Sequence, residues 1–299
     1  MREVKEFKVD SLKGLGTALI TPFKADKNVD FEALARLLDT QLTGAVDYIV
    51  VLGTTGEAAT MTEREREEVR TFIRRYVNGR IPLVLGVGGN CTAAVCESLR
   101  TIDLTGFEAI LSVCPYYNKP NQEGLYQHFC AVAEASPVPV ILYNVPGRTG
   151  VNLFPETVMR IWEAHPNKIV GIKEASGNIE QIKHLINLIN AAGNKREAIN
   201  LPLVISGDDG IACDVMEAGG AGLISVASNA FPEDFCTIVH QKDQALQAHY
   251  AEMVRLLFAE GNPVGIKAVL AQKGIIENYL RLPLVSASKD LEGLIRSCL

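Results

Sequence analysis

From Gly14 onward, short β-branched or apolar runs alternate with helical patterns about every 25 to 30 residues, and this rhythm constrains the fold more than any other feature. A strand, a helix and a second strand in that order build a parallel sheet, because the helix is the crossover that returns the chain to the same end. The strand runs fall at residues 16–21, 46–51, 82–87, 107–113, 139–143, 170–172, 201–206 and 221–226. After the first, Phe31, Leu34, Leu37, Leu38 and Leu42 form an apolar stripe at helical spacing. Thr62 with Glu65 three residues later reads as a capping box ahead of Val69, Phe72, Ile73, Tyr76 and Val77. Residues 92–104, 123–135 and the segment from Pro155 read as further helices. Asn178 caps another, whose stripe is Ile179, Ile182, Leu185, Ile186 and Ile189. A polar loop at residues 194–200 leads into the seventh strand.

Eight such units in roughly 230 residues predict a (β/α)8 TIM barrel, a fold of about 250 residues in its usual form. A doubly wound sheet is the alternative, but no G-x-G-x-x-G opens a helix here. Beyond Phe231 only helical patterns remain, such as Val254, Leu257 and Phe258, then Ile266, Val269 and Leu270. The chain therefore divides into an α/β barrel over residues 1–231 and a C-terminal helical domain over 232–299. The second part is too small to be comfortable alone and is expected to pack on the barrel or on another subunit.

Hydrophobic residues make up 47% of the chain and charged residues 21%, which suits a folded protein. The formal net charge is -6, and Lys and Arg are scattered among acids with no basic stripe, so no nucleic-acid partner is expected. No run approaches the roughly 20 apolar residues of a membrane span, and residues 1–12 are charged, so a cytoplasmic location is expected and no membrane partner. The seven cysteines show no C-x-x-C spacing, and most read as small core residues.

In a barrel of this kind the active site lies at the C-terminal ends of the strands. The sixth strand ends in Lys173, within I-V-G-I-K-E-A-S-G at 169–177. Alternation puts Gly171 and Lys173 on one face and Val170 and Ile172 on the other. Desolvation among apolar neighbours favours a neutral amine, the form that attacks a carbonyl, so Lys173 is a candidate Schiff-base former. The alternative is a strand-end lysine with its ammonium in water. The second strand ends in Gly53-Thr54-Thr55-Gly56-Glu57, where hydroxyls and backbone N–H groups can approach a small carboxylate, or where the chain simply turns. The fourth ends in Cys114-Pro115-Tyr116-Tyr117-Asn118, two phenols that suit a site or an interface. Tyr143 closes the fifth strand, ahead of Asn144-Val145-Pro146-Gly147-Arg148-Thr149-Gly150. A tyrosine there can shuttle protons, and an arginine can grip a carboxylate with two parallel hydrogen bonds. The seventh ends in Ser206-Gly207-Asp208-Asp209-Gly210, whose acids are read as stabilising a helix N-terminus in preference to binding a metal.

G-T-T-G-E at Gly53, P-Y-Y-N at Pro115, Y-N-V-P-x-R-T-G at Tyr143 and G-I-K-E-A at Gly171, in that order, resemble the dihydrodipicolinate synthase and N-acetylneuraminate lyase family. The resemblance runs from about Gly14 to Leu284. It implies a barrel with a C-terminal helical domain, usually in a homotetramer built as a dimer of dimers. Within the family, the motifs are most similar to the branch that condenses pyruvate with L-aspartate 4-semialdehyde on the diaminopimelate route to lysine. The resemblance implies that Lys173 forms the imine, Thr54 and Thr55 hold the pyruvate carboxylate, and Tyr143 passes protons with Thr55 as relay. It also implies that Tyr117 completes the relay from a neighbouring subunit, Arg148 binds the semialdehyde carboxylate, and Gly207 and Ile224 line the pyruvate end through their backbones. No metal or organic cofactor is needed, because the imine is the electron sink.

A sister lyase acting on N-acetylneuraminate or a 2-keto-3-deoxy sugar acid would share Lys173 and Tyr143, but the second threonine and Arg148 suit a short carboxylated aldehyde better than a polyol. A non-catalytic barrel that binds a 2-keto acid would need no nucleophile. The family pattern for feedback by lysine is incomplete here. Tyr116 and Asn90 are kept, whereas Ala94 stands in place of a glutamate, Ala58 of a serine, and Glu63 and Arg66 of histidines.

Overall fold

A computed structural model describes residues 9–194 and 200–299 of the chain. The expected charged start, up to residue 8, and residues 195–199 of the expected polar loop lie outside the described residues. Eight strands pair in chain order and close on themselves: β1 (Gly14–Ala18), β2 (Tyr48–Val51), β3 (Leu83–Gly86), β4 (Ala109–Val113), β5 (Val140–Asn144), β6 (Ile169–Glu174), β7 (Leu203–Ser206) and β8 (Gly222–Ser225). Every ladder is parallel, and the last joins β8 back to β1. The expected (β/α)8 barrel is therefore the fold.

Helices α1 (Phe31–Thr43), α2 (Glu63–Val77), α3 (Thr92–Thr101), α4 (Gln122–Ala135), a short α5 (Pro146–Thr149), α6 (Pro155–Ala164), α7 (Ile179–Gly193) and α8 (Ala212–Glu217) lie between the strands. Their starts follow the local chemistry. Thr62 accepts from the Glu65 N–H while the Glu65 carboxylate accepts from the Thr62 N–H at 2.9 Å, and Asn178 accepts from the Gln181 N–H at 3.1 Å. Such caps stabilise a helix by about 1 kcal/mol each. After β8 come α9 (Pro232–Gln241), which packs on β1 and β8, and then α10 (Gln244–Phe258), α11 (Val264–Gln272) and α12 (Lys289–Cys298), which pack on one another. Among the described residues no helix is long and apolar enough to cross a membrane.

Outward strand positions such as Ile49, Leu85, Ile110, Leu142 and Leu223 bury against the helices, and inward ones such as Tyr48, Val84, Ala109, Ile141, Ile205 and Ile224 fill the barrel. The Tyr48 ring occupies the space above Gly16, where a Cβ would collide with it. Two register details depart from the sequence reading. The first strand runs Gly14–Ala18 and not 16–21, because Gly14 and Gly222 are register partners so close that a Cβ on Gly222 would strike the Gly14 carbonyl. Thr21, outside the strand, donates to the Gly56 carbonyl at 2.8 Å. On β6, Ile169 pairs with Val140 but Gly171 pairs with Ile141, so Val170 is the extra residue of a bulge and joins the barrel interior, not the outer face shared with Ile172. Gly171 and Lys173 keep the expected common face.

Candidate active site

The β5–β6 ladder makes Tyr143 and Lys173 register partners on the inner wall. Both are buried, and Lys173 Nζ lies 4.6 Å from the centroid of the Tyr143 ring. Among the described residues Lys173 has no hydrogen-bond or ion-pair partner. On its other side the end of β7 comes so close that a Cβ on Gly207 would lie 2.9 Å from Lys173 Cε and 2.6 Å from the Ala175 side chain. Gly207 is thus the residue that lets the lysine chain lie flat between two strand ends. Ile224 faces the same interior from β8, opposite Gly16.

The two acids after β7 separate. Asp208 accepts from the Gly210 N–H at 2.9 Å and caps the turn Asp209–Ile211, as read from the sequence. Asp209 does not share that role. Its carboxylate is buried, accepts from the Ser225 hydroxyl and from the Val226 N–H at 3.1 Å, and so ties the end of β7 to the end of β8. Burial pushes its pKa up to about 6, against the pull of those hydrogen bonds and of Lys173. Among the described residues no cluster of His, Cys, Asp or Glu is arranged to hold a metal.

After β2, Thr54–Gly56 form a short turn that Glu57 ends with φ +54. Thr54 is exposed and Thr55 buried, its Oγ1 accepting from Asn262 Nδ2 at 2.9 Å. Glu57 is buried against Lys267, with Nζ 2.5 Å from its carboxylate, and accepts from the Arg281 N–H at 3.2 Å. The loop is therefore held by residues more than 200 positions away. Asn262, Lys267 and Arg281 were missed by sequence reasoning. Only Lys267 left a signal, a charge inside the apolar run V-G-I-K-A-V-L-A.

Arg148 sits on α5, exposed, with Nη2 donating to the Asn262 carbonyl at 3.3 Å. Thr54, Tyr143, Val145, Arg148 and Tyr116 line one cavity of about 390 Å³. Lys173 and Thr55 are not on its wall; Lys173 lies beside Tyr143, and Thr55 follows Thr54. Tyr117 is not brought in. It is 90% exposed with φ +74, and among the described residues no hydrogen bond or ring contact joins it to Tyr143 or Thr55. The same cavity is also lined by Ala58, Glu63, Arg66 and Arg70. Glu63 is already engaged there by Arg66 at 2.8 Å and Arg70 at 3.0 Å.

The model of the dihydrodipicolinate synthetase family matches residues 11–298. A 4-hydroxy-tetrahydrodipicolinate synthase from Parabacteroides distasonis is 51% identical over 282 residues, covering 92% of this chain and 92% of that protein. Among solved structures, a dihydrodipicolinate synthase from Thermotoga maritima is 40% identical with a TM-score of 0.89, covering 96% of this chain and 97% of that one. A chloride-inhibited dihydrodipicolinate synthase from Acinetobacter baumannii in complex with pyruvate is 38% identical with a TM-score of 0.89, covering 96% and 97%.

Proposed function

The chain belongs to the dihydrodipicolinate synthetase family, and we propose that it condenses pyruvate with L-aspartate 4-semialdehyde through an imine on Lys173, as a 4-hydroxy-tetrahydrodipicolinate synthase. The observation that carries this reading is the buried Lys173, without an ion pair among the described residues and set between the Tyr143 ring and Gly207. Its Nζ attacks the keto carbon of pyruvate, and loss of water leaves the imine. A methyl proton then departs to give the enamine, whose carbon bonds to the aldehyde carbon of the second substrate. Attack of that substrate's amine on the imine carbon closes the ring and releases the lysine. The net reaction joins the two substrates with loss of one water, and it requires no cofactor.

Protons enter and leave through Tyr143, with Thr55 as relay, while Thr54 and Thr55 hold the pyruvate carboxylate. Gly207 and Ile224 line the pyruvate end. Arg148, which lines the same cavity as Tyr143, takes the carboxylate of the semialdehyde. Tyr117 completes the relay in a neighbouring subunit. Its exposed phenol on a left-handed backbone supports that role, since such a conformation costs about 1 kcal/mol or more and leaves the ring 90% exposed. The assembly is a homotetramer, a dimer of dimers, in the cytoplasm. The test is a coupled assay with pyruvate and L-aspartate 4-semialdehyde. Turnover supports the reading, and cleavage of N-acetylneuraminate in its place would replace it with the sister reaction.

A further inference from the structure

We propose that Asn262, on the connection between α10 and α11 and outside the barrel, is a positioning residue for the condensation that sets the direction of the Thr55 hydroxyl. Asn262 is 7% exposed, and its Nδ2 donates to Thr55 Oγ1 at 2.9 Å. Among the described residues it is the only hydrogen-bond partner of that hydroxyl. An amide nitrogen donates and does not accept. Thr55 Oγ1 must therefore accept on this side, which leaves its one proton for a different acceptor, on the side where the relay runs. Without Asn262 the hydroxyl rotor has no fixed orientation, and a relay that depends on handing a proton in one direction loses its alignment.

The same residue serves Arg148 by a different atom. Its backbone carbonyl accepts from Arg148 Nη2 at 3.3 Å. Asn262 Oδ1 is buried without a partner among the described residues, so no other bond holds the amide in this rotamer. A buried polar group left unpaired works against folding, and its retention points to a task for the amide's other end. The two duties divide the kinetics. The side chain acts through Thr55 and the turnover rate, whereas the carbonyl acts through Arg148 and affinity for the second substrate, and it survives any change of side chain.

The inference rests on the roles proposed above for Thr55 and Arg148. Its test compares full-length Asn262→Ala and Asn262→Asp with the wild type, and Asn262→Ala again in a Thr55→Val background. Asn262→Ala should lower kcat about tenfold or more while KM for the semialdehyde stays within about twofold. Asn262→Asp keeps the shape but offers Thr55 only acceptors, so it should lower kcat as well, and it decides the matter should the alanine variant fold poorly. In the Thr55→Val background, Asn262→Ala should change kcat by less than about twofold, because the interaction it removes is already gone. Unchanged kcat in Asn262→Asp, or an equal loss with and without Thr55, would overturn the inference. A wild type that fails to condense the two substrates would instead overturn the function proposed above.

Discussion

Lys173 at the end of β6 and Lys267 in α11 are 5% and 0% exposed, and they differ in the polar partners around them. Lys267 has an acid. Its Nζ lies 2.5 Å from the Glu57 carboxylate, donates to the Tyr279 carbonyl at 3.0 Å and sits 4.2 Å above the Phe23 ring. Burial lowers its pKa to about 8 even though Glu57 pulls the other way. Lys173 has the Tyr143 ring and the bare backbone of Gly207, and no ion pair among the described residues. Burial alone does not mark a nucleophile. A lysine held as an ammonium, donating to a carboxylate, has no lone pair to offer and holds structure together, whereas one without such a partner is open to attack a carbonyl.

Breaking the comparison at its strong end means removing Lys173. Lys173→Ala should lower condensation by more than about a thousandfold with little change in stability. In the wild type, borohydride with pyruvate should add a reduced adduct to Lys173 and leave Lys267 unmodified, as peptide mapping would read; an adduct on Lys267 reverses the assignment. Lys267→Met should do the opposite. It strands a buried Glu57, and loss of one partner of a buried pair destabilises by about 3–5 kcal/mol. Chemical denaturation should register that loss, and adding Glu57→Gln should recover part of it. A stable Lys267→Met protein would show that the pair is not holding the G-T-T-G-E loop.

Arg148→Ala sharpens the contrast within the site. It should leave pyruvate trapping intact while condensation weakens by about 2–5 kcal/mol, since the lost grip belongs to the second substrate. Equal loss of both steps would make Arg148 structural. A smaller effect comes from Glu65, whose pKa is held down to about 2 chiefly by its hydrogen bond to Arg281, the residue that also braces Glu57. Because the folded value lies below the ordinary 4.5, this contribution is present above about pH 4.5 and lost as pH falls toward 2. Its size is on the order of 1 kcal/mol after screening. Acid unfolding of Arg281→Gln should lack that component, and an unchanged acid limb would refute it.

The smallest expected effect concerns L-lysine, and it applies the same rule to an acid. Glu63 lines the same cavity as Arg148, but Arg66 and Arg70 already occupy it, so it is not free for an ammonium. With Ala94 in place of the glutamate of feedback-inhibited relatives, a charged hydrogen bond of roughly 1.5–3 kcal/mol is missing. Millimolar L-lysine should therefore inhibit weakly or not at all. An inhibition midpoint well below a millimolar would contradict this.

The alternation of strands and helices, the Thr62 and Asn178 caps, and the placement of Tyr143 and Lys173 at strand ends, with Thr54 and Arg148 on the segments that follow, were all legible in the sequence. Each depends on neighbours a few residues apart: a period of two or 3.6, a cap reaching three residues on, a strand end in a fold whose site position is general. What only the tertiary structure decided spans longer distances. The shift of β1 depends on how closely Gly14 and Gly222 approach, and the bulge at Val170 depends on the register with β5. Asp209 reads as a partner of Asp208 until β8 supplies Ser225 and Val226. The links from Thr55 to Asn262 and from Glu57 to Lys267 cross about 210 residues of chain. A local pattern records which face an element buries, whereas the identity of a buried charge's partner is set by the packing of the C-terminal helices against the loop after β2, and no periodicity encodes that.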